Sequence, residues 1–178
     1  MESVVIFCSS SSEAAPEYNQ CAARLVEGLC AKGYGIVSGG SFRGTMGAVA
    51  DAAVRSGGHH KGVLPRFMQR FVYEGLSETA WTDTMSQRKE EMRKGTVAAI
   101  ALPGGIGTLD EIIETLVLKK LGQYHGRVIV LGPGAFFDPF LALLDHFVAT
   151  GMFAPEDRAL LECYDSADAL LATFNTAQ

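Results

Sequence analysis

The sequence predicts an α/β fold: a doubly wound, mainly parallel sheet with helices on both faces, forming one domain over residues 1–178. Three observations point there. Short apolar runs alternate with longer amphipathic stretches. The runs are apolar almost throughout rather than at every second residue, as strands covered on both faces are. Glycine-rich turns follow two of the runs, where a strand would hand over to a helix.

Taken in order, Val4–Cys8 is the first strand, and a helix follows from about Ala14 to Lys32. Gly33-Tyr34-Gly35 stops that helix and leads into a second strand, Ile36–Ser38. The glycine-rich stretch 39–47 opens a helix to about Arg55, which Gly57-Gly58 ends. Lys61–Leu64 is a third strand closed by Pro65, and Glu78–Thr82 fits a short edge strand. A charged helix covers about Met85–Lys94. Val97–Leu102 is the most apolar strand and so the expected central one. A helix from Thr108 to Leu121, a strand at Val128–Leu131, a helix over Phe136–Thr150 and a short strand and helix between Cys163 and Phe174 complete the pattern. No repeat or long polar linker divides the chain.

Composition narrows the function classes. The net charge of −5 is spread along the chain without a basic tract, so neither a nucleic-acid backbone nor a membrane surface is an expected partner. The first apolar run is too short for a signal-peptide core, which makes the cytoplasm the expected location. Cys8, Cys21, Cys30 and Cys163 form no C-x-x-C pair and read as small buried hydrophobes. Cys8, at a strand end, is also placed to be a nucleophile, but no partner base is evident. His59-His60 project in different directions on a strand, so a structural role fits them better than metal binding. No metal or cofactor is expected.

The most informative segment is Leu102-Pro103-Gly104-Gly105-Ile106-Gly107-Thr108-Leu109-Asp110-Glu111. Strand, glycine turn and helix follow one another here. Glycines let a ligand approach the backbone, and the free N–H groups of Gly105, Ile106, Gly107 and Thr108 at a helix start favour a phosphate. A carboxylate, Glu111, one turn further in is an odd neighbour for phosphate alone. It fits a ligand with an anionic end and a hydroxyl-rich or cation-forming part, such as a nucleoside monophosphate or sugar phosphate. A plain structural role competes: Thr108-x-x-Glu111 also matches a capping box.

The turn Gly39-Gly40-Ser41-Phe42-Arg43-Gly44-Thr45-Met46-Gly47 ends another strand, so the two turns can face each other across one crevice. A dinucleotide fingerprint is disfavoured, because the first turn, Ser9-Ser10-Ser11-Ser12, has no glycine. Met85, Arg88, Lys89 and Met92 share one helix face. Two thioethers beside two cations suit a flat ring with polar edges, although the stretch also fits a solvated helix whose Glu90 and Glu91 pair with Arg93 and Lys94.

Together these stretches resemble the Lonely Guy family of cytokinin riboside 5′-monophosphate phosphoribohydrolases, whose bacterial members often carry the label lysine decarboxylase. The family pattern PGGxGTxxE is met by Pro103 to Glu111, M-x-x-R-K-x-x-M by Met85, Arg88, Lys89 and Met92, and the glycine cluster with G-x-M-G by Gly39, Gly40 and Gly44 to Gly47. The resemblance implies a Rossmann-like fold, a homodimer with sites near the subunit interface, and hydrolysis of a nucleoside 5′-monophosphate to free base and ribose 5-phosphate. It makes Arg88 and Glu111 catalytic. Gly39, Gly40, Gly44, Thr45, Met85, Lys89, Gly104, Gly105, Ile106, Gly107 and Thr108 are then the expected substrate-binding positions. Two alternatives stand beside it: a carrier that holds AMP without cleaving it, and a pyridoxal-phosphate decarboxylase, for which Lys89 is the one lysine near the crevice. The chain departs from the family's commoner residues at Ser86, at Ser38 and Ser41 around the second turn, and at Asp110.

Overall fold

The computed structural model describes residues 1–177. Seven strands form one sheet in the order β4-β3-β2-β1-β5-β6-β7, and every neighbouring pair is parallel. The strands are β1 (Ser3–Phe7), β2 (Gly35–Ser38), β3 (His60–Pro65), β4 (Glu78–Thr82), β5 (Thr96–Ala101), β6 (Arg127–Leu131) and β7 (Leu161–Tyr164). The helices are α1 (Pro16–Ala31), α2 (Gly44–Arg55), α3 (Met85–Arg93), α4 (Ile106–Lys120), α5 (Asp138–Ala149), α6 (Pro155–Arg158) and α7 (Ala167–Leu171). This is the α/β, Rossmann-like arrangement expected.

Successive residues of β1 feed two cores, one on each face of the sheet. Val4 and Ile6 pack with Leu25, Val26 and Leu29 of α1, Val49 of α2 and Leu170 of α7. Val5 and Phe7 pack with Met92 of α3, Ile112 and Leu116 of α4 and Leu144 of α5. Two-sided burial is the reason these strands read as unbroken apolar runs. Each fully buried aliphatic side chain contributes on the order of 1.5–3 kcal/mol.

Several expectations are corrected. The central strand is β1, not the 97–102 run; β5 lies beside it. Both are covered on two faces, so composition does not separate them. The cysteines are free, but only Cys8 is buried: Cys21 and Cys30 are half-buried, and Cys163 is exposed on β7 at the sheet edge, where one side lacks a neighbour. Between β3 and β4 the chain forms a 3-10 helix, Arg66–Phe71, with no periodic apolar signal. Helix α6 was likewise not expected; Pro155 opens it. Among the described residues, no helix is long and apolar enough to cross a membrane.

Candidate active site

The strand order reverses at β1: β2, β3 and β4 lie on one side and β5, β6 and β7 on the other. Ligands of open parallel sheets bind beyond the carboxyl ends of the strands at such a switch. A cavity of about 520 Å³ opens there, lined by residues that follow β1, β2 and β5 and by α3. A larger open depression of about 1100 Å³ lies between α3, β4 and the end of α4. It contains neither glycine turn, and its Arg93 is committed to Glu114 at 2.6 Å. The chemistry is concentrated in the smaller cavity.

One wall is α3, held by a reciprocal capping box. The Thr84 side chain accepts from the Gln87 N–H at 3.2 Å, and the Gln87 side chain accepts from the Thr84 N–H at 3.2 Å. That start aims Arg88 at the sheet. Its Nε donates to the Val63 carbonyl at 3.0 Å and its Nη1 to Glu111 Oε1 at 2.7 Å. Nη2 lies against Gly39, where any Cβ would overlap it. Gly39 is therefore required by a close approach of the guanidinium.

The opposite wall is the start of α4. Gly105 is its N-cap, and Leu109 is the first residue whose N–H finds a helical partner, Gly105 O at 3.1 Å. The N–H groups of Ile106, Gly107 and Thr108 precede the first full turn and have no intrahelical acceptor. The Thr108–Glu111 capping box is thus corrected. The helix begins earlier, the Thr108 side chain packs over Gly104, and Glu111 turns to Arg88 instead. The capping box that does form, at Thr84 and Gln87, was legible as Thr-x-x-Gln.

Glu111 and Arg88 are 7% and 8% exposed, so the pair is shielded from water without being sealed. Burial pushes the Glu111 carboxyl above the usual carboxylate range, and the Arg88 guanidinium offsets this only in part. Among the described residues, no hydrogen-bond donor reaches Oε2 of Glu111. One oxygen is fixed and the other is available. Burial, then the nearby Glu111 charge, pushes the Cys8 thiol far up, which keeps it protonated and removes its case as a nucleophile.

The cavity brings together Gly39, Met85, Arg88, Gly105, Gly107, Thr108 and Glu111 from the expected set. The others lie elsewhere. Lys89 points along α4, paired with Asp110 at 2.9 Å and Glu114 at 3.3 Å, because one residue beyond Arg88 is about 100° around the helix. Ile106 projects into solvent at 86% exposure. Gly104 is covered by Thr108, and Gly40 packs on Gly62 of β3. Gly44 has φ +56° and lies under Ser10 and Ser11, while Thr45 is fully buried within α2. The solvated-helix reading of α3 holds only for Glu91 and Lys94, 3.9 Å apart: Met92 is in the core, Glu91 pairs more closely with Lys61 at 2.7 Å, and Arg93 turns to Glu114.

Sequence reasoning missed Ser9, Ser10 and Ser11, Arg43, Met46 and Met68, all of which line the cavity. The serines follow β1, and at a switch point the turn after the central strand faces the crevice. Met46, Met68, Met85 and Met92 together give the cavity a thioether-rich lining. His60 is a core residue, bonded through Nε2 to Ser38 Oγ at 2.7 Å, and burial holds its pKa down at about 4. Among the described residues, no cluster of three metal-ligating side chains occurs.

Comparison with known proteins adds the family. The model of the family described as "Possible lysine decarboxylase" matches residues 46–174. The probable cytokinin riboside 5′-monophosphate phosphoribohydrolase LOGL9 of Oryza sativa subsp. japonica is 35% identical over 170 residues, 94% of this chain and 75% of that one. The cytokinin riboside 5′-monophosphate phosphoribohydrolase of Rhodococcoides fascians is 31% identical over 175 residues, 96% and 88% of the two chains. Among solved structures, the molybdenum cofactor carrier protein of Chlamydomonas reinhardtii superposes with a TM-score of 0.74 at 18% identity, covering 97% of this chain and 95% of that one. That likeness shows the fold alone. With motifs, family model and relatives in agreement, the chain belongs to the family described as possible lysine decarboxylase, the Lonely Guy family of the sequence resemblance.

Proposed function

We propose that this protein hydrolyses the N-glycosidic bond of an adenosine 5′-monophosphate, N6-modified as in the cytokinin ribotides of its relatives, releasing the free base and ribose 5-phosphate. The observation that carries this reading is the buried Arg88–Glu111 pair at 2.7 Å in the same cavity as the unpaired amides of α4. The amides and the helix dipole take the 5′-phosphate, with the Thr108 hydroxyl beside them.

Breaking a ribosyl C–N bond builds positive charge on the sugar and negative charge on the departing base. Fixed charges placed at those points lower the barrier. The free oxygen of Glu111 accepts from a ribose hydroxyl or from the attacking water and faces the sugar cation. A guanidinium is a poor proton donor, so the role of Arg88 is to hold Glu111 in place and stabilise charge.

The decarboxylase alternative needs a lysine with a neutral amine. Partial burial draws the Lys89 ammonium down, but Asp110 and Glu114 outweigh it and hold the group above the ordinary lysine range. Lys89 is also turned away from the cavity, which weighs against that chemistry. A carrier gains little from a buried carboxylate next to a phosphate site, and this favours hydrolysis over simple binding.

The reading includes a homodimer. Ile113 and Val117 of α4 and its C-cap Leu121 form a stripe and are 43%, 47% and 60% exposed, an apolar face that a second copy would cover. It also includes a cytoplasmic location, which four free thiols support. Incubating the protein with AMP and N6-isopentenyl-AMP and separating the products by chromatography tests the activity. Free base and ribose 5-phosphate are expected, and intact nucleotide from both substrates removes the reading.

A further inference from the structure

Three charged residues line the cavity: Arg43, Arg88 and Glu111. Arg88 and Glu111 neutralise each other across 2.7 Å. Arg43 is left over, with no ion-pair partner among the described residues. A monoester phosphate brings about −1.5 to −2 of charge, and a helix N-terminus offers roughly +0.5. The α4 amides therefore leave most of that charge unmatched, and Arg88 is already committed to a carboxylate and to the Val63 carbonyl.

Arg43 is also held in place. Its backbone N–H donates to Ser41 Oγ at 3.1 Å. Ser41 forms an antiparallel bridge with Val72, the Phe42 N–H donates to Phe71 O at 3.0 Å, and the Tyr73 N–H donates to Gly40 O at 2.9 Å. These contacts bind the turn after β2 to the end of the 3-10 helix. They set the Arg43 guanidinium over the Phe71 ring at 5.2 Å, a cation–π contact that restrains the side chain while leaving its donors unused.

We infer that Arg43 is the cation that meets the substrate's phosphate, and that it makes this site select a phosphorylated nucleoside over a bare one. The inference rests on the hydrolase reading for the identity of the substrate, but its ligand chemistry, a ribose-borne phosphate, is independent of whether the bond is cleaved. Arg43 is a binding residue in this account. The Phe71 ring positions it.

The test compares the parent, Arg43→Gln, Arg43→Lys and Phe71→Leu. Binding of ribose 5-phosphate is measured by calorimetry, and kcat and KM are measured for AMP and adenosine. A charge-assisted contact of this kind is worth about 10- to 100-fold in affinity. Arg43→Gln is expected to weaken ribose 5-phosphate and raise KM for AMP by that factor, with kcat and adenosine turnover little changed. Arg43→Lys should recover part of the loss, and Phe71→Leu should show a smaller one.

Unchanged ribose 5-phosphate affinity in Arg43→Gln overturns the inference. So does a parent that binds no ribose 5-phosphate, or an equal loss on AMP and adenosine, which would place Arg43 on the base or ribose. If the parent releases no base from any nucleotide yet binds ribose 5-phosphate through Arg43, the hydrolase reading fails and this inference stands. If AMP is cleaved equally by parent and variant, the reverse holds.

Discussion

Arg88 and Glu111, one from α3 and one from α4, meet in a buried contact of 2.7 Å that spans the carboxyl end of the sheet. The same guanidinium touches β3 through Val63 O and the turn after β2 at Gly39. A single side chain thus sets the spacing of four segments around the cavity.

Glu111→Gln keeps an acceptor for Arg88 but removes the negative charge that the proposed reaction sets against the sugar. Base release from AMP should fall by about 10²-fold or more, with the urea midpoint nearly unchanged. Glu111→Ala should also cost about 3–5 kcal/mol of stability, because it leaves a buried guanidinium alone. Parent-like turnover in the Gln variant would falsify a catalytic role for Glu111.

Gly39→Ala places a methyl group where Nη2 of Arg88 and the Met46 sulfur lie. The guanidinium must shift, and a displacement near 1 Å can cost on the order of 10²-fold in rate. Steady-state kinetics beside a far-ultraviolet circular dichroism melt separates lost geometry from lost fold. Full activity in this variant would show that Arg88 tolerates movement.

The pH profile follows from Glu111. Its carboxyl lies above the ordinary range, so the ionised form that the proposed reaction requires is lost at a higher pH than for an exposed carboxylate. The acid limb of kcat/KM should lie correspondingly high and vanish in Glu111→Gln. For stability the sign is opposite to that of a salt-bridged surface acid. A raised folded pKa favours the protonated fold, and that contribution fades as pH rises through it.

His60 gives a second pH dependence. Its folded pKa is about 4 against an ordinary 6.5, a consequence of burial and then of His59. The neutral ring stabilises the fold fully above 6.5, and this is lost as pH falls towards 4. The slope is at most about 1.4 kcal/mol per pH unit for one proton. Urea titrations of parent and His60→Gln over that window should differ by this slope; parallel curves would contradict it.

Lys89→Met should retain base release within about threefold, because its partners are part-exposed carboxylates outside the cavity. Abolished activity would return Lys89 to the chemistry. Val117→Asp, in the apolar stripe of α4, should shift the protein to monomer in light scattering; an unchanged mass would move the proposed dimer face elsewhere.

Much of this site was legible in the chain. The 97–121 stretch reads as strand, turn and helix because Pro103 and two glycines interrupt apolar patterns of different period, and Glu78–Thr82 was placed to the residue. What escaped was tertiary. Thr108 and Glu111 carry the spacing of a local cap, yet Gly105 starts the helix three residues earlier and Arg88 recruits the carboxylate from another segment. Lys89 and Arg88 are adjacent in sequence and face different partners. Arg43 and Met68 reach the cavity through the bridge at Ser41 and Val72, a long-range contact that no local period encodes.

The thioether-rich lining carries a liability of its own. Four of the six methionines of the chain surround one cavity, and Met85, 44% exposed, stands at its mouth. Peroxide adds an oxygen to such a sulfur and turns a pliant apolar wall polar. Oxidative damage should therefore reach turnover before it reaches the fold, with Met85 converted first among the four that line the cavity. Peptide mass mapping alongside residual activity would follow that order.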